Sequence, residues 1–248
     1  MTFLKLSKEV YISLTIIAIP LIISGFLMRP VHEEYIVRGD ISPVSDIGVD
    51  GSVHFTYIYT GYIETYYDKL YVSFFYRDAD FIPLDEEEFT MYTEYSDDME
   101  EDYYKAESIS NAVYATSLDD EYDLQERIDD ILFESTGYYG DSLGLMVAIG
   151  LIEEMNQLDF SQNGSITIAG TGTLEYDETV GTIGGMRQKL LTAVENNVDI
   201  FFIPKDEATY GIFSNEREAR HVVEEEGLDL NVVPVDTLAE AIDYLENY

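Results

Sequence analysis

GDSLGLMVAIGLIEEM (Gly140 to Met155), ITIAGTGT (Ile166 to Thr173) and VGTIGGMRQKLLTAVENNVDIFFIP (Val180 to Pro204) are the stretches that set the fold of this chain. The first is a largely apolar run of helical length, and Gly144, Ala148 and Gly150 permit close approach, so a helix is predicted over Ser142 to Met155. A strand follows around Ile166 to Thr173, then a turn at Glu175 to Glu178 and a strand through Val180. The third block predicts a helix from about Met186 to Asn197 and a buried strand in VDIFFIP, Val198 to Pro204. Beyond it, Asn215 to Glu226 reads as a helix, LDLNVVPV (Leu228 to Val235) as a strand, and Thr237 to Leu245 as a helix capped by Asp236. Helices and strands that alternate in this way define an α/β fold.

The 248 residues carry 50 Asp plus Glu against 13 Lys plus Arg, a formal charge of −37, with 46 % hydrophobic content. That content is ample for a packed core, and the charge excludes nucleic acid or anionic lipid as a partner of the bulk surface. The absence of cysteine removes disulfides, thiolate nucleophiles and thiolate metal sites. His32, His54 and His221 form no HExxH-type pair, so neither a metal nor a cofactor is expected.

Val10 to Met28 (VYISLTIIAIPLIISGFLM) contains no charge and is long enough to cross a hydrocarbon layer of ~30 Å at ~1.5 Å per residue. It reads as a transmembrane helix or uncleaved signal anchor, with no A-x-A site after it; cleavage near Gly25 is the alternative. Lys5 and Lys8 precede it and Arg29 follows, a slight bias that the acidic remainder tips toward translocation, which places Pro30 to Tyr248 outside the cytoplasm. The expected divisions are a cytoplasmic N-terminus 1–9, a membrane helix 10–28, a β-hairpin and helix part 30–134, and a core 135–248.

Within 30–134, SVHFTYIYTGYI and KLYVSFFYR alternate in β fashion between Ser52 and Arg77, after a turn at Asp50-Gly51, and predict a hairpin. Asp85 to Asp102 concentrates carboxylates but lacks the D-x-[DN]-x-[DN]-G calcium loop, so a solvated acidic face is expected. Ala106, Ile109, Ala112, Val113 and Ala115 recur at helical spacing and predict a helix over Met99 to Thr116 packed on the hairpin. Leu118 to Glu134 then reads as an acidic crossing to the serine motif.

Two residues carry candidate chemistry, Ser142 within GDSLG and Lys189, four residues after Gly184-Gly185. A serine hydroxyl needs an adjacent base, and a lysine can be that base if burial lowers its pKa from ~10.4 by several units. Ile183, the glycine pair, Met186, Leu190 and Leu191 make apolar or small surroundings for Lys189, and Arg187 would disfavour a second positive charge if it pointed the same way. Ser142 falls at a predicted helix start, where the backbone N–H groups of Ser142 and Leu143 would stabilise an oxyanion. Asp141 is expected to cap that helix or to orient the pair.

GDSLGLMVAIGLIEEM, IAGTGTLEYDETVGTIGGMRQKLLTAVENNVDIFFIPKDEA and VDTLAEAIDYL together resemble the proteolytic domain of the Lon family, above all the membrane-anchored bacterial Lon-like proteases that often carry a PDZ domain. The match runs strongly from Gly140 to about Glu207 and weakly to the C-terminus, and MEEDYYKAESISNAVYA with the region before it resembles the N-terminal part of that domain. The resemblance implies a ribosomal protein S5 domain 2-like architecture and a serine endopeptidase with Ser142 as nucleophile and Lys189 as its partner. It further implies that Thr171, in the T-G motif, positions the lysine, that the substrates are proteins or peptides, and that the chain self-associates, often as rings. No Walker A sequence occurs, so ATP-independent action is expected. The stretch between Thr116 and Leu132 is too short for a PDZ domain. Leu143 replaces the usual small residue after the nucleophile and Tyr138-Tyr139 stand where smaller or acidic residues are common, bulk that would narrow the cleft.

Two other readings fit parts of the pattern. GDSLG satisfies the G-x-S-x-G elbow of α/β-hydrolases, and Ser142, Asp206 and His221 follow their triad order, although His221 falls in a predicted exposed helix. A catalytically inactive Lon-like scaffold at the membrane is the other, against which the joint presence of Ser142, Thr171 and Lys189 argues.

Overall fold

The structure is a computed structural model that describes residues 7–94, 98–116 and 121–248. It divides into two compact units, residues 38–59 with 97–248, and residues 1–37 with 60–96; the chain passes between them along two strands, β1 (Pro30–Pro43) and β2 (His54–Thr65). Tyr95 to Asp97 of the acidic segment, and Ser117 to Asp120 of the crossing, lie outside the described residues.

The larger unit is a mixed α/β structure whose strands are covered on both faces. β2, β4 (Ile168–Gly170), β7 (Ile200–Pro204) and β8 (Asn231–Val235) are neighbours in that order, and each adjacent pair is parallel. The strand residues alternate by face, as a period of two requires. Phe55, Ile168, Ile200, Phe202, Val233 and Val235 enter one apolar cluster, while Ala169, Phe201 and Ile203 enter another. The first cluster is completed by α4 (Asp98–Thr116), α5 (Glu121–Glu134), α6 (Gly144–Asn156) and α10 (Leu238–Asn247), the second by α7 (Met186–Glu195) and α9 (Asn215–Glu226). Burial on both sides explains why IFFIP, Ile200 to Pro204, is apolar throughout.

The α/β order read from the sequence is present, with three differences in this unit. Leu118 to Glu134 is a helix from Glu121 onward, because Leu124, Ile128, Ile131 and Leu132 recur at helical spacing and reach the core. The apolar stripe of α4, with Ile109, Ala112 and Val113 buried, packs chiefly on α6 and α5 rather than on a hairpin. Helix α10 is capped by Thr237, whose hydroxyl accepts from Glu240 N–H, and not by Asp236.

In the smaller unit, α1 (Lys8–Leu27) is one helix of 20 residues, long and apolar enough to cross a membrane, with no residue buried. The hairpin expected over Ser52 to Arg77 does not form. The first run is β2, whose neighbour is β1, and the second is a helix, α2 (Tyr66–Phe75). Thr65 and Asp68 decide this: the Thr65 hydroxyl accepts from Asp68 N–H while the Asp68 carboxylate accepts from Thr65 N–H, a capping box that starts a helix where alternation alone suggested a strand. β3 (Asp80–Pro83) pairs antiparallel with β1, and α3 (Glu86–Glu94) begins at Asp85, whose carboxylate accepts from Glu87 and Glu88 N–H. Val37, Ile63 and Val72 are the buried centre of this unit.

Candidate active site

Where β4 ends, the chain leaves the sheet and crosses the loop before α6. Thr171 N–H still donates to Phe202 O, but Gly172 N–H donates to Ser142 O and Leu145 N–H donates back to Gly172 O. These bonds fix Ser142 over Thr171. Gly140, with φ of 81°, supplies the left-handed turn that brings the chain into the loop. A Cβ on Gly144 would overlap Ser108 Oγ and crowd Leu174 N, so the second glycine of GDSLG is needed for α6 to start against α4 and β5 (Thr173–Leu174).

Lys189 lies in the first turn of α7, after Gly185, which takes φ of 66° at the helix N-cap. The loop before it is held by Asn215, whose Oδ1 accepts from Ile183 N–H and whose Nδ2 donates to Ile183 O. Lys189 is 2 % exposed and Thr171 is fully buried. The Lys189 Nζ lies 2.7 Å from Ser142 Oγ and 2.9 Å from Thr171 Oγ1, and the Thr171 hydroxyl points to Ser142 O at 3.3 Å. Burial pushes the Lys189 ammonium down to about 7 from its ordinary 10.5, against the nearby Asp141 carboxylate, which raises it. Arg187 takes no part, since its guanidinium turns away to Glu226 at 2.7 Å.

Asp141 does not cap α6. The N-cap position is Leu143 and carries no side-chain bond; the turn closes through Gly144 N–H to the backbone oxygen of Asp141. Burial raises the Asp141 carboxyl above its usual range, partly countered by its own backbone N–H and by Lys189, while Glu175 adds to the rise. Ser142 and Leu143 N–H make no hydrogen bond among the described residues.

The bulky neighbours do not fill the space over Ser142. Leu143 turns into the core at 3 % exposure, and Tyr138 packs edge-on against Phe55 with its hydroxyl 2.7 Å from Ser42 Oγ. Tyr139 projects outward, 78 % exposed. One residue not anticipated from the sequence supports the loop: Lys105 of α4, 7 % exposed, donates to Ser135 O at 3.3 Å and Tyr138 O at 2.9 Å.

The hydrolase triad is not assembled. Asp206 caps α9, accepting from Asn215 and Glu216 N–H, and His221 is an exposed helix residue 3.4 Å from Glu225. His32 stacks on Phe89 and His54 Nδ1 approaches Ile168 O, and among the described residues no three His, Asp or Glu side chains converge to hold a metal ion.

No family model matches the chain. It is 30 % identical over 106 residues to the Lon protease of Mesomycoplasma hyopneumoniae, covering 43 % of this chain and 11 % of that protein. It is 26 % identical over 110 residues to the Lon protease of Neorickettsia sennetsu, covering 44 % and 12 %. These are distant similarities, and the chain spans about a tenth of the length of each relative.

Proposed function

We propose that this chain is a Lon-like serine endopeptidase that uses a Ser142/Lys189 dyad, without ATP, on unfolded or extended protein segments. The observation that carries the proposal is a buried lysine whose amine, titrating at about 7, faces two hydroxyls at 2.7 and 2.9 Å. The distant similarity to Lon proteases supports it. A neutral amine accepts one hydrogen bond and donates two. Ser142 O–H therefore donates to Nζ, Nζ–H donates to Thr171 Oγ1, and Thr171 O–H donates to Ser142 O, a closed relay that holds the lone pair on the nucleophile's proton.

As Ser142 Oγ bonds to the scissile carbonyl carbon, its proton passes to Nζ, and the oxyanion takes the unoccupied N–H groups of Ser142 and Leu143. The lysine then protonates the departing amine, leaving an acyl-serine and a neutral Nζ. Water attacks the ester, gives its proton to Nζ, and the proton returns to Oγ as the new acid leaves.

In the same proposal α1 is a membrane anchor and the remainder lies outside the cytoplasm, supported by the length of α1 and the acidic composition. The family resemblance also carries self-association into rings. An inactive scaffold would not need a lysine buried against a serine and a threonine at the cost of its charge. The test is cleavage of an unfolded protein by the full chain in detergent, without ATP, between pH 5 and 9. Activity rising through about pH 7 and lost in Ser142→Ala and Lys189→Ala is expected; a flat profile, or turnover that survives both substitutions, would refute the dyad.

A further inference from the structure

Helix α2 carries an aromatic face that none of the described residues covers. Tyr67, Leu70, Tyr71, Phe74 and Phe75 fall at the i, i+3, i+4, i+7 and i+8 positions of one helix side and are 49 to 78 % exposed. Their rings touch in series, Tyr67 to Tyr71, Tyr71 to Phe75 and Phe75 to Phe74, at centroid separations of 6.5, 4.7 and 5.2 Å. A contiguous apolar surface of this kind on a folded protein marks contact with a partner or a membrane.

The charged groups of α2 are engaged elsewhere. Asp68 holds the Thr65 cap, Lys69 is paired with Glu33 and lies over the Phe81 ring, and Val72 enters the unit's own core. What covers the face is indicated by where α2 begins. Tyr66 N–H donates to Arg29 O at 3.0 Å, and the Tyr66 ring lies 5.1 Å from that of Phe26 in the last turn of α1. If α1 spans a bilayer, its 20 residues at ~1.5 Å each match the hydrocarbon thickness and end at Leu27. The start of α2 is then one hydrogen bond from the point of exit.

We propose that α2 lies in the membrane interface, with its aromatic face seated among the headgroups and upper acyl chains of the bilayer that α1 enters. Tyrosine and phenylalanine on a short helix suit that layer, where an apolar ring body and a hydroxyl tip are both solvated, to a depth of ~5–10 Å. Zwitterionic lipid is the fitting surface, because the lysine of this helix is already paired and the chain is strongly acidic. The inference rests on α1 as an anchor, and its test separates the two.

The chain has no tryptophan, so one introduced indole reports alone. The full chain carrying Phe74→Trp or Ile17→Trp is placed in phosphatidylcholine vesicles whose acyl chains are brominated either close to the headgroup or at mid-chain. The Phe74→Trp emission should shift to shorter wavelength and be quenched more by the shallow bromines, whereas Ile17→Trp should be quenched more by the deep ones. Tyr71→Trp repeats the measurement on the same face should Phe74→Trp misfold. Quenching at Ile17 with none at Phe74 or Tyr71 overturns the interfacial helix and leaves the anchor standing. A short-wavelength shift without quenching means that a second copy of the chain covers the face, and it overturns the proposal too. Shallow quenching at Phe74 without quenching at Ile17 supports the interfacial helix and refutes the span.

Discussion

Lys105 and Lys189 are both sealed inside the larger unit, 7 % and 2 % exposed, yet their amino groups meet opposite chemistry. The Nζ of Lys105 faces the backbone oxygens of Ser135 and Tyr138, which can only accept, so it must donate. The Nζ of Lys189 faces the hydroxyls of Ser142 and Thr171, which can accept or donate. Carbonyls can only take N–H bonds from an amino group, whereas a hydroxyl can also donate to the lone pair of a buried neutral amine. One helix thus places a lysine as a strut under the loop that carries Ser142, and another presents the lysine proposed as the base.

The sharpest way to break this comparison is to replace each lysine by methionine and compare the signs. Lys189→Met should lower kcat by at least ~10²-fold, as loss of a general base does, while the fold becomes more stable at neutral pH. The gain follows from linkage. With a folded pKa of about 7 against an ordinary 10.5, the native state of the wild type binds fewer protons than the unfolded chain between those values. Its stability penalty is therefore full below about pH 7 and fades as pH rises toward the ordinary lysine value. At ~1.4 kcal/mol per pH unit the gain is a few kcal/mol at pH 7, reduced by whatever Thr171 loses with its partner. Denaturant midpoints of the two proteins should converge between pH 7 and 10, and a constant gap would show that Lys189 is not a neutral buried amine.

Lys105→Met should act in the other direction. It strips the donor from two carbonyls, at a cost of ~1–3 kcal/mol if they stay dry. Activity should fall because Ser135 to Tyr138 lead into the Ser142 loop, but the pH midpoint of the remaining activity should stay where it was, since the surroundings of Lys189 are intact. Unchanged stability would remove the strut from the account. A displaced pH midpoint would show that the two lysines are coupled.

The contrast also marks how far the sequence could be read. Ser142, Thr171 and Lys189 were legible because each sits in a short motif whose glycines have a backbone task, as Gly144 and Gly185 do. The strand β7 is legible because burial on both faces makes it uniformly apolar. Lys105 carries no comparable local sign: it stands in an acidic helix, and its acceptors come from a turn 30 and 33 residues away. Asn215, which pins Ile183 from a separate helix, was invisible for the same reason. The α2 helix is a different failure. Its alternating aromatics imitate a strand, because a helix whose outward face is itself aromatic has no polar side to reveal its period, and the Thr65/Asp68 cap is the local signal of its start.

Asp141 offers the smallest and most specific test. Its carboxylate raises the Lys189 pKa through space, against the burial that lowers it. Asp141→Asn removes that charge with little change of shape, so the acid limb of kcat/KM should move to lower pH while the plateau at high pH changes far less than in Lys189→Met. A purely structural contribution would lower the plateau and leave the limb in place. Movement of the limb to higher pH would be a stronger contradiction, because it would mean that Asp141 favours the neutral amine rather than the ammonium. The direction of this shift thus asks whether the charge beside Ser142 reaches the proposed base, which the proposed relay does not require.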